Sequence, residues 1–104
     1  PAWKLELLKD YKSDLFINVK SFQEMEKDQS INYINIFKNC INKYIYLNNS
    51  IKGHHKSPEK DEFGVLNPTS KLDLENELIN MFQIKYSKTE VNSFYKTIFE
   101  KKAF

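Results

Sequence analysis

Residues 30–47 read SINYINIFKNCINKYIYL, and apolar side chains recur here at helical spacing more clearly than anywhere else in the chain. The main apolar positions, three or four residues apart, are Ile31, Ile34, Phe37, Ile41, Tyr44 and Ile45. A helix that is apolar over most of its circumference generally has neighbours on several sides. We therefore predict a central core helix that ends at the turn-forming residues 48–50, which read Asn-Asn-Ser.

Two shorter helices are predicted before this stretch. The first covers residues 3–11, where apolar side chains recur four residues apart. The second follows Ser13, whose side chain can cap a first turn, and runs to Lys27. A strand is the alternative for residues 14–20, because apolar and polar side chains also alternate there. The absence of a glycine or proline before Lys27 favours the helix.

Residues 49–70 are predicted to form one long loop, which contains both glycines and two of the three prolines. Loops longer than about 15 residues are uncommon in compact domains and are often functional or disordered. Residues 53–61 are polar and charged, without a large apolar side chain to anchor them. We expect this part to be the most mobile internal segment.

Two capping motifs predict the C-terminal helices. Ser70 with Asp73 resembles a capping box, and Ser87 with Glu90 is one of standard form. The resulting fold class is all-α, an irregular or orthogonal bundle of four to five helices with the loop at about 49–70. With 104 residues the chain fits a single domain, and its start at Pro1 predicts that it is excised from a longer polypeptide.

Composition restricts the classes of partner. Hydrophobic residues make up 40% of the chain and aromatic residues 14%, which excludes intrinsic disorder. All sixteen basic residues are Lys, and the frequent Ile, Asn, Tyr and Phe resemble proteins of AT-rich genomes such as those of apicomplexan parasites. The net charge of +2 and its even spread give no strong case for nucleic acid or an anionic membrane.

Cys40 is the only cysteine, so an internal disulfide is excluded and an oxidising compartment is not required. We expect it to be a small buried side chain, and an intracellular location is slightly favoured. No apolar run approaches the ~20 residues of a membrane-spanning helix. Asn48-Asn49-Ser50 matches the glycosylation triplet, and Ser57-Pro58 lies in the loop where a phosphate could be added.

No motif typical of an enzyme occurs. His54 and His55 lie near three carboxylates, but adjacent residues point in divergent directions, and structural metal sites place their ligands at fixed offsets. We therefore predict two exposed loop histidines and no metal site. A glycine-rich phosphate loop, a GxSxG turn and an HExxH helix are all absent from the sequence. The sequence predicts no enzyme and no cofactor.

The leading functional prediction is a non-enzymatic helical module, a scaffold or adaptor for protein–protein interaction. Fifteen aromatic residues exceed the needs of a modest helical core, and exposed aromatics favour partner binding. A partner helix would dock in a groove between the last two helices. The residues predicted to line it are Met81, Phe82, Phe94 and Ile98.

Two alternatives stay open at this point. One is a nucleic-acid-binding helical domain of chromatin or transcription machinery, with lysines around the second capping box. These are Lys85, Lys88, Lys96, Lys101 and Lys102. Lys lacks the planar fork that reads base edges, which argues for weak backbone contact. The other alternative is a structural domain of a secreted or surface protein.

Overall fold

The structure is a computed structural model that describes residues 10–53, 66–90 and 93–103. Four strands and two α-helices occur in this part of the chain, with one 3-10 turn at Phe22–Glu24. In chain order they are β1 (Ser13–Val19), α1 (Lys27–Phe37), β2 (Ile41–Ser50), α2 (Lys71–Leu78), β3 (Phe82–Thr89) and β4 (Phe94–Lys101). The fold is mixed α/β, so the prediction of an all-α bundle is wrong.

The four strands form one sheet in the order β1-β2-β4-β3. β1 and β2 are parallel and are joined through α1, as parallel neighbours require a crossover. β4 lies antiparallel to both of its neighbours, β2 and β3. The sheet therefore combines a parallel pair at one edge with an antiparallel hairpin at the other.

Both helices pack against one face of the sheet, which we call the helix face, and they contact each other there. Ile34 of α1 and Leu74 and Leu78 of α2 are almost completely buried against it. The sheet contributes the inward side chains of Ile41, Ile45, Leu47, Phe82, Tyr95 and Phe99. The core thus forms a single layer between the sheet and its two helices.

The predicted core helix of residues 30–47 is in fact a helix followed by a strand. α1 ends at Phe37, and the Lys38 N–H donates to the Ile34 carbonyl at 2.8 Å as its last helical bond. β2 begins at Ile41 and buries alternate residues towards its end. β-Branched and aromatic residues dominate 41–47 and favour a pleated strand, although their spacing also fits a helix.

Residues 13–19 form β1, so the helix predicted there is wrong and the strand alternative is right. The predicted last helix is wrong as well, because the segment after Ser87 completes β3 and turns into β4. Ser87 and Thr97 share a hydroxyl contact of 3.2 Å across these strands. The Ser87–Glu90 spacing matches a capping box without forming one, since four-residue patterns arise readily by chance.

The capping box at Ser70 and Asp73 is confirmed. The Asp73 N–H donates to Ser70 Oγ at 3.2 Å, and the Ser70 N–H donates to Asp73 Oδ2 at 3.0 Å. Two of the four amides that a helix N-terminus leaves free are satisfied in this way. α2 ends at Leu78, however, so the two residues predicted to extend it, Met81 and Phe82, lie beyond it.

Parts of the predictions fall outside the described residues. These are most of the helix at 3–11 and the loop residues 54–65 with both histidines. The predicted loop of 49–70 starts later than expected, because β2 continues to Ser50. Neither described helix has the length and apolar composition that a bilayer crossing demands, in line with the predicted lack of a membrane span.

Candidate functional site

The parallel strands β1 and β2 end side by side, and polar side chains gather at that edge. We call residues 18–23 and 48–51 the carboxyl edge. In open α/β sheets ligands bind in the crevice outside the carboxyl ends of the strands. The carboxyl edge is therefore where a functional site is expected in this fold.

Asn18, Gln23 and Asn49 form a group that is joined by side-chain and backbone hydrogen bonds, and we call it the amide cluster. Asn49 Nδ2 donates to Asn18 Oδ1 at 3.2 Å. The Gln23 N–H donates to Asn49 Oδ1 at 3.3 Å. Gln23 Oε1 in turn accepts from the Ser50 N–H at 2.8 Å. The side chains thus tie the turn after β1 to the end of β2.

Two of the three residues of the amide cluster are buried, and Asn18 is half-buried. Asn49 is 1% exposed and Gln23 is 8% exposed. Asn18 Oδ1 also accepts from the Phe22 N–H at 3.2 Å, so a single oxygen holds both the turn and the neighbouring strand. Buried polar networks whose members are satisfied are rigid, and they fix one geometry. The cluster therefore holds the loop after β1 in a defined position.

Lys20, directly after β1, contacts both β2 and β4. Its backbone adopts a left-handed conformation with φ 59°, which is uncommon for a residue other than glycine. Its N–H donates to the Asn48 carbonyl at 2.7 Å, and its Nζ lies 5.3 Å from the centre of the Phe94 ring. Strained backbone of this kind often occurs at functional sites.

Tyr95 lies on the helix face as the cross-strand partner of Asn49. Its hydroxyl is buried without a hydrogen-bond partner. Burial raises the pKa of the phenol above its ordinary value of 10.0, and this outweighs the opposing effect of the nearby Asn49 amide. Because the residue is only 1% exposed, this hydroxyl faces the interior and is not presented to a ligand.

Three lysines lie near the carboxylate of Glu90, at the end of the hairpin formed by β3 and β4. Lys88 and Lys96 are cross-strand partners, and Lys96 Nζ lies 2.7 Å from Glu90 Oε1. The hydrogen bond from Lys96 is the main reason why the pKa of Glu90 is lowered, with Lys88 and Lys20 adding to it. Three ammonium groups thus lie around one carboxylate.

The four residues predicted to line a partner groove do not lie together. Phe82 is 1% exposed and belongs to the core on the helix face. Phe94 and Ile98 lie on the opposite face, since the residues between them alternate with buried ones along β4. Met81 packs against the core in the turn before β3. That these residues contact a partner stays a prediction, although the described part of the predicted last helix lies in β3 and β4 and so forms no groove between two helices.

Other singled-out residues are placed as follows. Cys40 is buried, as predicted, and its Sγ lies 3.5 Å from the Ile36 carbonyl oxygen. The triplet at 48–50 lies in β2 rather than in a turn, with Asn49 inside the core. Among residues 10–53, 66–90 and 93–103, His, Cys, Asp and Glu side chains form no group of three that could hold a metal ion.

Sequence reasoning missed the amide cluster. Its residues lie at the carboxyl ends of two apolar segments, which is the usual position of ligand-binding residues in parallel sheets. The signal was present as Asn18 after the alternating residues 15–17 and as Asn48 to Ser50 after Leu47. Recognising it requires both segments to be assigned as parallel strands, and both were predicted as helices.

Comparisons with solved structures identify proteins with a similar fold. The chain resembles the PH0226 protein from Pyrococcus horikoshii OT3 with a TM-score of 0.66 and 15% identity, over 90% of this chain and 54% of that one. It also resembles magnesium protoporphyrin IX methyltransferase (ChlM) from Synechocystis PCC 6803, in a structure that contains bound SAH. The TM-score is 0.62 and the identity 16%, over 92% of this chain and 46% of that one. The chain therefore spans about half the length of each. No family model and no curated protein matches the sequence.

These likenesses correct the functional predictions. The same α/β fold occurs in a methyltransferase, so the prediction of a non-enzymatic helical adaptor is wrong, and the exclusion of an enzyme is withdrawn. The two alternatives, a helical nucleic-acid-binding domain and a structural surface domain, find no support. The same holds for the AT-rich, apicomplexan-like interpretation of the composition. At 15–16% identity the comparisons establish the fold alone.

Proposed function

We propose that the chain is one half of an α/β methyltransferase domain. The observation that carries this proposal is the likeness of the whole sheet with its two helices to a methyltransferase with bound SAH, over 92% of this chain. It is supported by the other likeness, which also spans about half of a longer chain. The sequence would then be excised from a longer polypeptide that forms the rest of the domain.

The carboxyl edge gives this proposal its chemical location. Methyl transfer between two bound molecules depends mainly on holding the donor and acceptor in line at close range. A rigid edge suits this role better than a mobile one, and the amide cluster makes the loop after β1 rigid. We therefore assign the amide cluster a positioning role and not direct contact with the reacting atoms.

The described residues do not form a cradle for SAH by themselves. The side-chain oxygens of Asn18, Gln23 and Asn49 all accept hydrogen bonds within the protein, from Asn49 Nδ2 and from backbone amides. The Tyr95 hydroxyl, which has no partner, is closed off from solvent. A cofactor site would accordingly need groups from outside residues 10–53, 66–90 and 93–103, and no step of the reaction is assigned to these residues.

The test uses the full-length protein that contains this chain, which we call the native protein, and SAM labelled with tritium in the methyl group. Its variants are produced in the same way as the unmodified protein. We expect formation of SAH and transfer of the label to an acceptor from the same cell extract. In the variant Asn49→Ala the transfer rate should fall about tenfold or more, since misplacing a bound substrate by an ångström has effects of this order. The exposed Asn76 on α2 provides the control, and Asn76→Ala should retain the rate.

Circular dichroism at the assay temperature separates loss of positioning from loss of folding. The Asn49→Ala protein should keep its folded spectrum while the rate falls. A native protein that neither binds SAM nor forms SAH would contradict the proposal. An Asn49→Ala protein that is folded and fully active would remove the positioning role from the amide cluster.

A further inference from the structure

One face of the sheet carries no helix among the described residues, and it is apolar along β1 and the adjoining part of β2, with Lys88 and Lys96 at its other side. We call it the open face. In β1 the side chains of Leu15, Ile17 and Val19 point to this face and are 50%, 59% and 45% exposed. Their register partners on β2 are Tyr44, Tyr46 and Asn48. Together with Ile98 of β4, four of these apolar residues line a depression of about 370 Å³.

The direction of the β1 side chains is the informative point. In a strand with one side in solvent, the apolar residues are expected to face the core and the polar ones to face water. β1 is apolar on both faces: Phe16 packs against the core on the helix face, where Asn18 joins the amide cluster, and the aliphatic residues at 15, 17 and 19 face away from the helices. A strand with apolar side chains on both faces is typical of a parallel sheet that is covered on both sides.

The two edges of the sheet differ in a way that indicates where the sheet continues. β3 carries Lys85 and Lys88, and both edge strands have one register irregularity, between Ile84 and Tyr86 in β3 and between Ser13 and Leu15 in β1. Edge lysines and bulges are features that protect a free edge from further pairing. β1 carries one charged residue, Asp14, which lies 3.9 Å from Lys43 of its own neighbour. The lysines therefore favour the β3 edge as the end of the sheet, whereas β1 contains no lysine.

We infer that the open face and the free edge of β1 are covered by the other half of the domain, which adds a strand parallel to β1 and at least one amphipathic helix on the open face. This inference rests on the proposed half-domain and names its partner. Parallel sheets occur almost always with helices on both faces, and β1 and β2 form such a parallel pair. In both similar structures about half of the chain lies outside the matched part, which is enough for such a unit.

The chain offers a matched pair of residues for the test. Ile17 at the centre of the open face and Ile79 at the end of α2 are both 59% exposed. In the native protein, Ile17→Lys should lower the melting temperature by about 5 °C or more, since it buries a charge in an apolar interface. Ile79→Lys should change it by less than about 2 °C. In the isolated chain of residues 1–104, both variants should melt within about 2 °C of the unmodified chain.

Each other result overturns the inference. Equal effects of the two variants in the native protein would show that the open face is free. If Ile17→Lys lowers the melting temperature of the isolated chain while that chain is a monomer, the chain covers this face itself. If the isolated chain sediments as a dimer and its Ile17→Lys variant as a monomer, a second copy of the chain covers the face. Methyl transfer is not measured here, so failure of the catalytic proposal leaves this test readable.

Discussion

Asn49 and Tyr95 are cross-strand partners on the helix face of β2 and β4, and each is only 1% exposed. Asn49 directs its amide group to Asn18 and Gln23, and the Tyr95 hydroxyl is left without a hydrogen bond. A buried hydroxyl without a partner loses its hydration and gains nothing in return. The carboxyl edge therefore combines a satisfied amide cluster with one unsatisfied group beneath it.

Removing that hydroxyl should not destabilise the protein. For Tyr95→Phe we expect a free energy of unfolding that is unchanged or raised by about 1 kcal/mol, as the desolvated group disappears. Thr97→Val is the control, because the buried Thr97 hydroxyl contacts Ser87 Oγ and its removal should cost about 1 kcal/mol. Urea unfolding followed by circular dichroism measures both. A larger loss for Tyr95→Phe than for Thr97→Val would mean that the hydroxyl has a partner after all.

Alkaline pH should lower the stability of the protein through ionisation of Tyr95. Burial raises the folded-state pKa of Tyr95, so its contribution to stability is complete below about pH 10 and is lost as the pH rises from there. Above pH 10 the phenol ionises more readily in the unfolded chain than in the folded one. Tyr95→Phe should therefore lose less stability than the unmodified protein between pH 9 and pH 11. Identical pH profiles would show that the Tyr95 phenol is not protected from ionisation.

The contact between Asn18 and Asn49 should be measurable as a coupling energy. We expect Asn18→Ala and Asn49→Ala to destabilise the protein individually, by about 1–3 kcal/mol for groups that leave buried partners unpaired. The double variant should lose less than the sum, with a coupling of at least about 0.5 kcal/mol. Asn48→Ala is the control at the neighbouring position, on the open face. Strict additivity of the two losses would contradict a direct interaction.

Acid should weaken the N-terminus of α2. Burial acts to raise the pKa of Asp73, but the hydrogen bonds from Ser70 and Lys27 outweigh it and leave the pKa below its ordinary value of 3.8. A carboxylate with a lowered folded-state pKa stabilises the protein above about pH 4, and the effect is lost as the pH falls through the folded-state value. Asp73→Asn should therefore destabilise by about 1 kcal/mol at pH 7 and show a smaller loss below pH 4. Parallel stability profiles from pH 2 to pH 7 would refute the role of this charge.

The start of α2 could be predicted from the sequence because its signals are local. The Ser70 and Asp73 side chains satisfy backbone amides within a single turn, so four residues determine the motif. α1 was found for a similar reason, from the spacing of Ile31, Ile34 and Phe37. The end of α1 could not be predicted, because residues 38–40 contain neither glycine nor proline.

The strands could not be predicted because their stabilising contacts are distant in sequence. Ile45 pairs with Phe16 on one side and with Phe99 on the other, and neither partner is visible in a local pattern. The spacing of apolar residues in 41–47 fits both a helix and a strand. β1 showed its alternation, but with the aliphatic side on the open face. The candidate site could not be predicted for the same reason, since the amide cluster forms only when β1 and β2 lie side by side as parallel strands.

The central claim is that the sheet continues beyond β1, and amide hydrogen exchange tests it most directly. The Lys20 N–H points to β2, so alternation along the strand directs the N–H groups of Ile17 and Val19 away from it. In the isolated chain these two amides should exchange freely, whereas in the native protein a paired strand should slow them by about 100-fold or more. The Leu47 amide in the interior of the sheet should be protected in both. Free exchange of Ile17 and Val19 in the native protein, with Leu47 protected, would contradict the account.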